Sequence, residues 1–448
     1  VGELLLKDDR ITLRDKYVRG CGSPWHIHKA RTRYNPPRVR LSGPVQTFIA
    51  SGATKQFWIS LAVPVDATPG DYYGSILVRQ NGKTLLEVGV HVTVLGIELV
   101  PPLKDTMLWY RGTINCHHWR HYIRREVFET QLKDIYDHGF RSISLWETDA
   151  KRLQQALDTA QAIGFCGNVV MNGFRKELWS SVDFGKLRPV AYVSDEVDAD
   201  VTRLGAHVKA IQHAKSNGVR TMASVLDWRT LEQTMSRALG LQPDIVSVYA
   251  PGNRGRLGFS KQNGLDNADL YFYWQAHMEK PLVHRMLAGL LLWKSGADGI
   301  SPYCYQHLPG IPHSPFDDFD PWDDTQVDTL GRRFKDHMAT YPARNGVIHT
   351  LQWKGLAEGL TDLRYLNTLD AAIEAAEQAA DPSIRERGPK ARRQVELAVE
   401  KFHWDDVDIL SETSATPYPD FGSRDMLELR RTIVDQLKEL NGTAGVEE

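Results

Sequence analysis

The first hundred residues carry short apolar runs rich in β-branched and aromatic side chains, the signature of strands. The runs 57–63 and 74–78 are of this kind, and Asp66-Ala67-Thr68-Pro69-Gly70 between them is a turn-forming cluster. Asn81-Gly82 supplies the positive φ values of a type I′ turn, and Val88, Val90, Val92 and Val94 alternate beyond it, which predicts a hairpin. Residues 1–101 are therefore read as an N-terminal β-sandwich domain. Pro101-Pro102 closes it, since neither residue can donate to a sheet ladder. The pattern then changes to short apolar runs at 107–110, 142–146, 168–171, 190–193, 220–225, 245–249, 270–274 and 299–303, separated by helix-length segments. One such segment, 124–138, carries Phe128, Leu132, Ile135 and Tyr136 on a single face, and three of them stop at Gly139, Gly164 and Gly218. Eight strands suited to burial on both faces, alternating with helices, predict an α/β fold: a (β/α)8 barrel over 102–345. An open doubly wound sheet is the rival, but no Gly-rich phosphate loop follows the first strand. Beyond 345 the spacing is helical. Regular apolar positions over 355–380 and around 395–402, and the stripe Met426, Leu429, Ile433, Leu437 and Leu440 after a Ser423 N-cap, predict a small C-terminal helical region (346–448) packed on the barrel.

Composition narrows the function classes. A chain of 448 residues is long enough for two or three domains. A net charge of −2 with 25% charged residues lacks the footprint of a nucleic-acid or anionic-membrane partner. No apolar run approaches the ~20 residues of a membrane span. The first residues show no signal-peptide pattern, but the chain begins at Val1 without Met. Localisation is left open, with a secreted or periplasmic site compatible with removal of a leader. Cys21, Cys116, Cys166 and Cys304 are far apart and are read as buried free thiols. His117-His118 and His26-Ile27-His28 lack carboxylate or cysteine companions at ligand spacing, so neither a metal nor another cofactor is expected. The 12 Trp and 16 Tyr are numerous; a large core accounts for most of them, and the rest suit a sugar-binding wall.

The chemistry concentrates at Asp195-Glu196, where the strand 190–193 hands over to a helix. Neighbouring side chains on a strand point to opposite faces, so both carboxylates reach one substrate only if the strand has ended or bulged there. This is the carboxyl end of a strand, the end at which such barrels do their chemistry. The same end of the other strands offers Trp109, Asn172, Tyr249, Tyr273, Trp274, Gln275, Tyr303 and Tyr305 as substrate-binding candidates, with Arg111, Trp146, Glu147, Asp227 and Trp228 nearby. An aromatic-walled cleft with central carboxylates suits a pyranose ring, whose C–H faces stack while its hydroxyls are hydrogen-bonded. Two adjacent carboxylates resist simultaneous ionisation, so one tends to stay protonated and act as an acid. Glycosidic cleavage of an oligosaccharide or glycoconjugate follows. The bland reading of an Asp-Glu pair at a helix start is a favourable helix-dipole arrangement; the barrel context favours a site. The acidic stretch 316–324 reads as a solvated loop, and Arg285 as a structural ion-pair partner.

Three stretches carry a family likeness: 63–74 (Val-Pro-Val-Asp-Ala-Thr-Pro-Gly-Asp-Tyr-Tyr-Gly), Asp195-Glu196, and Leu292-Trp293-Lys294-Ser295-Gly296-Ala297-Asp298-Gly299-Ile300 with 345–366 after it. In these the chain resembles glycoside hydrolase family 123, β-N-acetylgalactosaminidases, and related proteins sharing its C-terminal region. The resemblance implies a substrate-assisted retaining mechanism, in which the sugar's own 2-acetamido oxygen replaces the enzymic nucleophile. It implies that Asp195 orients the acetamido N–H and that Glu196 protonates the leaving oxygen, then deprotonates water. It also implies a tyrosine at the acetamido carbonyl, with Tyr249, Tyr273, Tyr303 and Tyr305 the candidates. The acidic pair is followed here by Val197, where members commonly have proline. Two rivals are a glycosidase on a non-acetamido sugar using Glu147 or Asp227, and an inactive carbohydrate-binding protein.

Overall fold

The structure is a computed structural model. It describes residues 49–64, 66–114, 125–196, 204–226, 242–250, 268–275, 281–306, 339–343, 346–402 and 421–441, together with the two-residue strands Ile11–Thr12, Arg38–Val39, Tyr122–Ile123, Gln326–Val327 and Arg333–Phe334.

The predicted hairpin is present. Strands β1 (Gly70–Gln80) and β2 (Lys83–Val94) pair antiparallel, and Asn81 and Gly82 turn between them at φ 50° and 79°. Both values lie in the left-handed region that a type I′ turn demands. Of the expected sandwich, the described residues give this two-stranded sheet and a short antiparallel pair, Ile11–Thr12 with Arg38–Val39; several apolar side chains of the hairpin, Tyr73 and Leu85 among them, are exposed.

The barrel is closed and all-parallel. Its strands are β3 (Asp105–Leu108), β4 (Ser142–Leu145), β5 (Asn168–Asn172), β6 (Arg188–Asp195), β7 (Arg220–Val225), β8 (Ile245–Tyr249), β9 (Asp269–Tyr273) and β10 (Gly299–Ile300), each paired with the next in sequence, and β10 returns to β3. The strands are buried almost throughout because one face fills the barrel and the other meets helices, which is why they read as continuous apolar runs. Helices α1 (Arg125–Asp137), α2 (Ala150–Ile163) and α3 (Leu204–Ser216) cover the outside. Gly139, Gly164 and Gly218, at φ 102°, 120° and 70°, terminate them as the sequence indicates.

Among the described residues, buried apolar side chains form two clusters. Met107, Val170, Val190, Met222, Ile245 and Tyr271 fill the barrel interior. The larger cluster joins the outward faces of the strands to the helices. It extends into α4 (Pro281–Met286), which continues through a π-helical turn (Leu287–Leu291), and into α5 (Leu351–Glu377), α6 (Arg387–Ala398) and α7 (Ser423–Leu440). A short antiparallel pair, β11 (Thr340–Ala343) and β12 (Gly346–His349), leads into α5. Thr350 caps α5 by accepting from the Trp353 N–H at 3.2 Å. Ser423 is the first residue of α7, and the cap position belongs to Gly422, whose N–H donates to Asp425 Oδ2 at 2.6 Å; the expected Ser423 cap is corrected by one residue. Arg285 is a structural partner: it makes a bidentate pair with buried Asp362, at 2.6 and 3.0 Å, which Arg430 of α7 shares. Of the thiols in described residues, Cys304 is free and buried, whereas Cys166 is free but exposed, against the expectation of burial.

Candidate functional site

Which strand residues face the barrel mouth is a question of alternation. On β9, Tyr271 and Tyr273 point inward while Leu270, Phe272 and Trp274 face the helices. The same parity brings Trp109, Asn172, Tyr192, Tyr249 and Tyr303 to the carboxyl-terminal mouth. Trp274 and Tyr305 fall on the other face. Trp274 is fully buried with its Nε1–H donated to His284 Nδ1 at 2.9 Å. Tyr305, equally buried, donates to Asp134 Oδ2 at 2.9 Å. Neither reaches the mouth, so the two are removed from the predicted binding set, and Tyr305 from the candidates for the acetamido carbonyl. Gln275 is half-buried at the rim, its backbone bridged to Tyr303.

The acidic pair depends on an irregularity. Between Tyr192 and Ser194 the register of β6 against β7 slips: Tyr192 pairs with Met222, Ser194 with Ala223 and Asp195 with Ser224. One extra residue is accommodated, and the slip reverses the alternation. Asp195 thereby joins Tyr192 on the inward face, to which an uninterrupted strand would have sent Ser194. Glu196 follows at φ 47°, a left-handed conformation costly for a side chain with a Cβ, and its N–H is tied to Ser224 O at 2.9 Å. The strand thus bulges and then turns, which is the condition under which both carboxylates serve one site.

Each carboxylate is held by a tyrosine. Tyr192 Oη–H donates to Asp195 Oδ1 at 2.6 Å, and Tyr273 Oη–H donates to Glu196 Oε1 at 2.6 Å. Burial first, and the neighbouring carboxylate second, push both phenol pKa values well above their ordinary range, so both remain donors at any working pH. Tyr192 stands in the very strand singled out in the sequence, yet reads there as one more aromatic strand residue. The Trp109 ring meets Tyr192 edge-on, with centroids 4.7 Å apart, and Tyr249 stands 5.2 Å from Tyr273. Tyr303 accepts a hydrogen bond from Arg111, whose guanidinium also lies 5.9 Å over its ring. Burial raises the Tyr303 pKa and the Arg111 charge partly offsets this. The arrangement can present two carboxylates and several rings to a polar ring-shaped ligand.

Glu147 lies at the end of β4 and is almost wholly buried. The Ile114 N–H donates to its Oε1 at 2.5 Å, and Arg152 Nε stands 3.4 Å from Oε2. Oε2 and this Nε, both buried, are thus ion-pair partners of each other. Burial holds the Glu147 pKa above the usual carboxylate range, with Ile114 and Arg152 pulling it back. Asp227, Trp228, the pairs His117-His118 and His26/His28, and the loop 316–324 lie outside the described residues. Asp134, His138 and His349 converge on the flank of the barrel with ligand-type atoms within 4.8 Å of one another. Both nitrogens of His138 are engaged there, Nδ1 with Asp134 O at 2.7 Å and Nε2 with Lys354 Nζ at 2.8 Å. A lysine ammonium in that place suits a neutral imidazole better than a cation.

No family model matches the chain, and no curated protein matches it. Among solved structures it is similar to a family 123 glycoside hydrolase from Clostridium perfringens, at 13% identity over 86% of this chain and 77% of that one, with a TM-score of 0.51. Lower-scoring matches are ScGas2 (11% identity, 85% of this chain and 94% of that one, TM-score 0.41) and a GH99 endo-alpha-mannosidase from Bacteriodes thetaiotaomicron (9%, 59% and 98%, TM-score 0.35). At those scores the latter two add no weight. The first shows that this chain shares its barrel fold with a glycoside hydrolase.

Proposed function

We propose that the protein is a glycoside hydrolase that cleaves a β-linked 2-acetamido-hexose, β-N-acetylgalactosamine being the family's sugar, by a substrate-assisted retaining mechanism. Residues 102–345 carry the reaction on this reading, and 1–101 and 346–448 flank it. The observation that carries the proposal is the bulge-and-turn that sets Asp195 and Glu196 side by side at the barrel mouth, each held by a tyrosine hydroxyl.

The roles are those the family resemblance implies, and the hydrogen bonds support them. Tyr192 fixes one oxygen of Asp195, which leaves the carboxylate oriented to accept the acetamido N–H and to balance positive charge as the acetamido oxygen closes on the anomeric carbon. Glu196 protonates the departing oxygen and then takes a proton from the incoming water. Tyr273 holds Glu196 in place and stabilises its anionic form between those two steps. Tyr249 and Tyr303 are the remaining candidates for the acetamido carbonyl, and Trp109 supplies an apolar face for the ring.

Release of the aryl group from nitrophenyl β-N-acetylgalactosaminide and a panel of other nitrophenyl glycosides tests this. Activity on the acetamido sugar is expected to fall by roughly 100-fold or more in both Glu196→Gln and Asp195→Asn, the worth of a positioned acid. Turnover confined to sugars without the acetamido group, with Asp195→Asn nearly harmless, would overturn the substrate-assisted mechanism.

A further inference from the structure

The bulge that brings Asp195 inward leaves one residue outside the ladder. In β6 the pairing with β5 ends at Tyr192, opposite Asn172, and the pairing with β7 passes from Tyr192 opposite Met222 to Ser194 opposite Ala223. Val193 therefore has no partner in register on either side. Its side chain, like that of Ala191, packs into the outer core between strands and helices. Its carbonyl oxygen is met by His207 Nδ1 at 3.2 Å.

His207 lies in α3 on the face that carries Ile211 and Ala214 in the turns that follow, and all three are buried. Such a face ordinarily holds apolar side chains. A carbonyl can only accept, so Nδ1 carries the proton and donates to Val193 O. In the neutral ring Nε2 is then an acceptor, buried and without a hydrogen-bond partner. With one nitrogen satisfied and the other not, the imidazole is a poorer core filler than a leucine would be. What it supplies is a donor at the carbonyl of the bulge. Without that donor β6 has a second course open to it. Regular pairing would set Val193 opposite Ala223 and Ser194 opposite Ser224, and alternation would then send Ser194 inward and Asp195 to the helix side.

We propose that His207 is a positioning residue for the reaction: by binding the Val193 carbonyl from the helix layer, its Nδ1–H holds β6 in the bulged register and so keeps Asp195 at the mouth, in contact with Tyr192 Oη. It touches no substrate. The proposal rests on the reading of Asp195 as the group that orients the acetamido N–H, and it places control of that group behind the barrel wall.

Three substitutions separate the donor from the bulk of the ring. His207→Leu fills the space without a donor, His207→Gln sets its amide near the position of Nε2, and His207→Asn sets its amide near that of Nδ1, so only the last keeps the bond. Crystal structures and steady-state kinetics on nitrophenyl β-N-acetylgalactosaminide are obtained for each, with circular dichroism to establish folding. In His207→Leu and His207→Gln, Val193 is expected opposite Ala223 and Asp195 out of hydrogen-bonding distance of Tyr192. Their kcat is expected to fall by at least about tenfold, since a misplacement of about 1 Å can cost about 100-fold. His207→Asn should retain both the contact and the rate. If His207→Leu does not fold, the comparison of His207→Gln with His207→Asn carries the test. Asp195 still bound to Tyr192 in His207→Gln, or equal losses in His207→Gln and His207→Asn, overturns the proposal. Displacement of Asp195 in the variants, together with a wild type that hydrolyses no glycoside of the panel, overturns the reaction reading while sustaining the hold of His207 on Asp195.

Discussion

Glu196 stands in a backbone conformation that costs a non-glycine residue about 1–2 kcal/mol, and the residues around it maintain that conformation. Its N–H is bound to Ser224 O and its carboxylate to Tyr273. A hydrogen bond to a charged group is worth about 1.5–3 kcal/mol, and about 1.4 kcal/mol is a tenfold change in rate. Tyr273→Phe is therefore expected to lower kcat on the acetamido glycoside by at least about tenfold with little change in KM, since the ring stays and only the hydroxyl leaves. Tyr192→Phe should act in the same direction through Asp195. Steady-state kinetics of the two variants check this; wild-type kcat in both would remove the tyrosines from the positioning roles given to them.

At the scale of elements, the molecule relies on backbones in close approach. The π-helical turn after α4 crosses α5 at glycines: a Cβ on Gly289 would sit 2.5 Å from Gly359 O, and one on Gly359 would sit 2.4 Å from Arg285 O. These are backbone atoms in two packed helices, so neither can move aside cheaply. Gly289→Ala and Gly359→Ala are each expected to destabilise the fold by about 1–3 kcal/mol, measured by denaturant unfolding. Thr350→Ala removes the cap of α5 and should cost about 1 kcal/mol by the same measurement. The bulge in β6 acts differently. Its effect is to turn Asp195 toward the mouth.

Across the whole molecule, α1, β12 and the start of α5 meet at a polar network on the barrel flank. His349 Nε2–H and Tyr305 Oη–H donate to Asp134, at 2.7 and 2.9 Å. These bonds and the histidine charges hold the Asp134 pKa down in spite of its burial. His138 beside it is mostly buried, and its pKa is lowered to about 4, chiefly by burial, with the Lys354 and His349 charges adding to the effect and Asp134 opposing it. Its unfolded value is about 6.5. Below that pH the unfolded chain takes up a proton that the folded chain refuses. The contribution is therefore complete above about pH 6.5 and is lost as pH falls toward 4, at most roughly 3 kcal/mol. Unfolding free energy measured across that window should fall with pH in the wild type and fall less in His138→Gln. Equal slopes would show that His138 is not the titrating group.

The order of strands and helices, their glycine stops and the position of the acidic pair were legible in the chain because each is a local property: period-2 or period-3.6 alternation, a residue able to adopt positive φ, or two carboxylates following an apolar run. Gly139, Gly164 and Gly218 ended their helices as read. The phase of each strand relative to the barrel was not local. Trp109 and Tyr303 face the mouth whereas Trp274 and Tyr305 face the helices, although all four are aromatic residues at strand ends. Closure of the barrel decides which parity points inward, and closure joins β10 to β3, which are far apart along the chain. Contacts at long separation likewise decided what local pattern could not: Tyr273 reaches Glu196 across 77 residues, and the Ile114 N–H reaches Glu147 across 33. The sequence by itself determined which elements form and where the acids lie. Only the tertiary structure decided which side chains share a space, because register and burial are set by pairing and packing between distant segments.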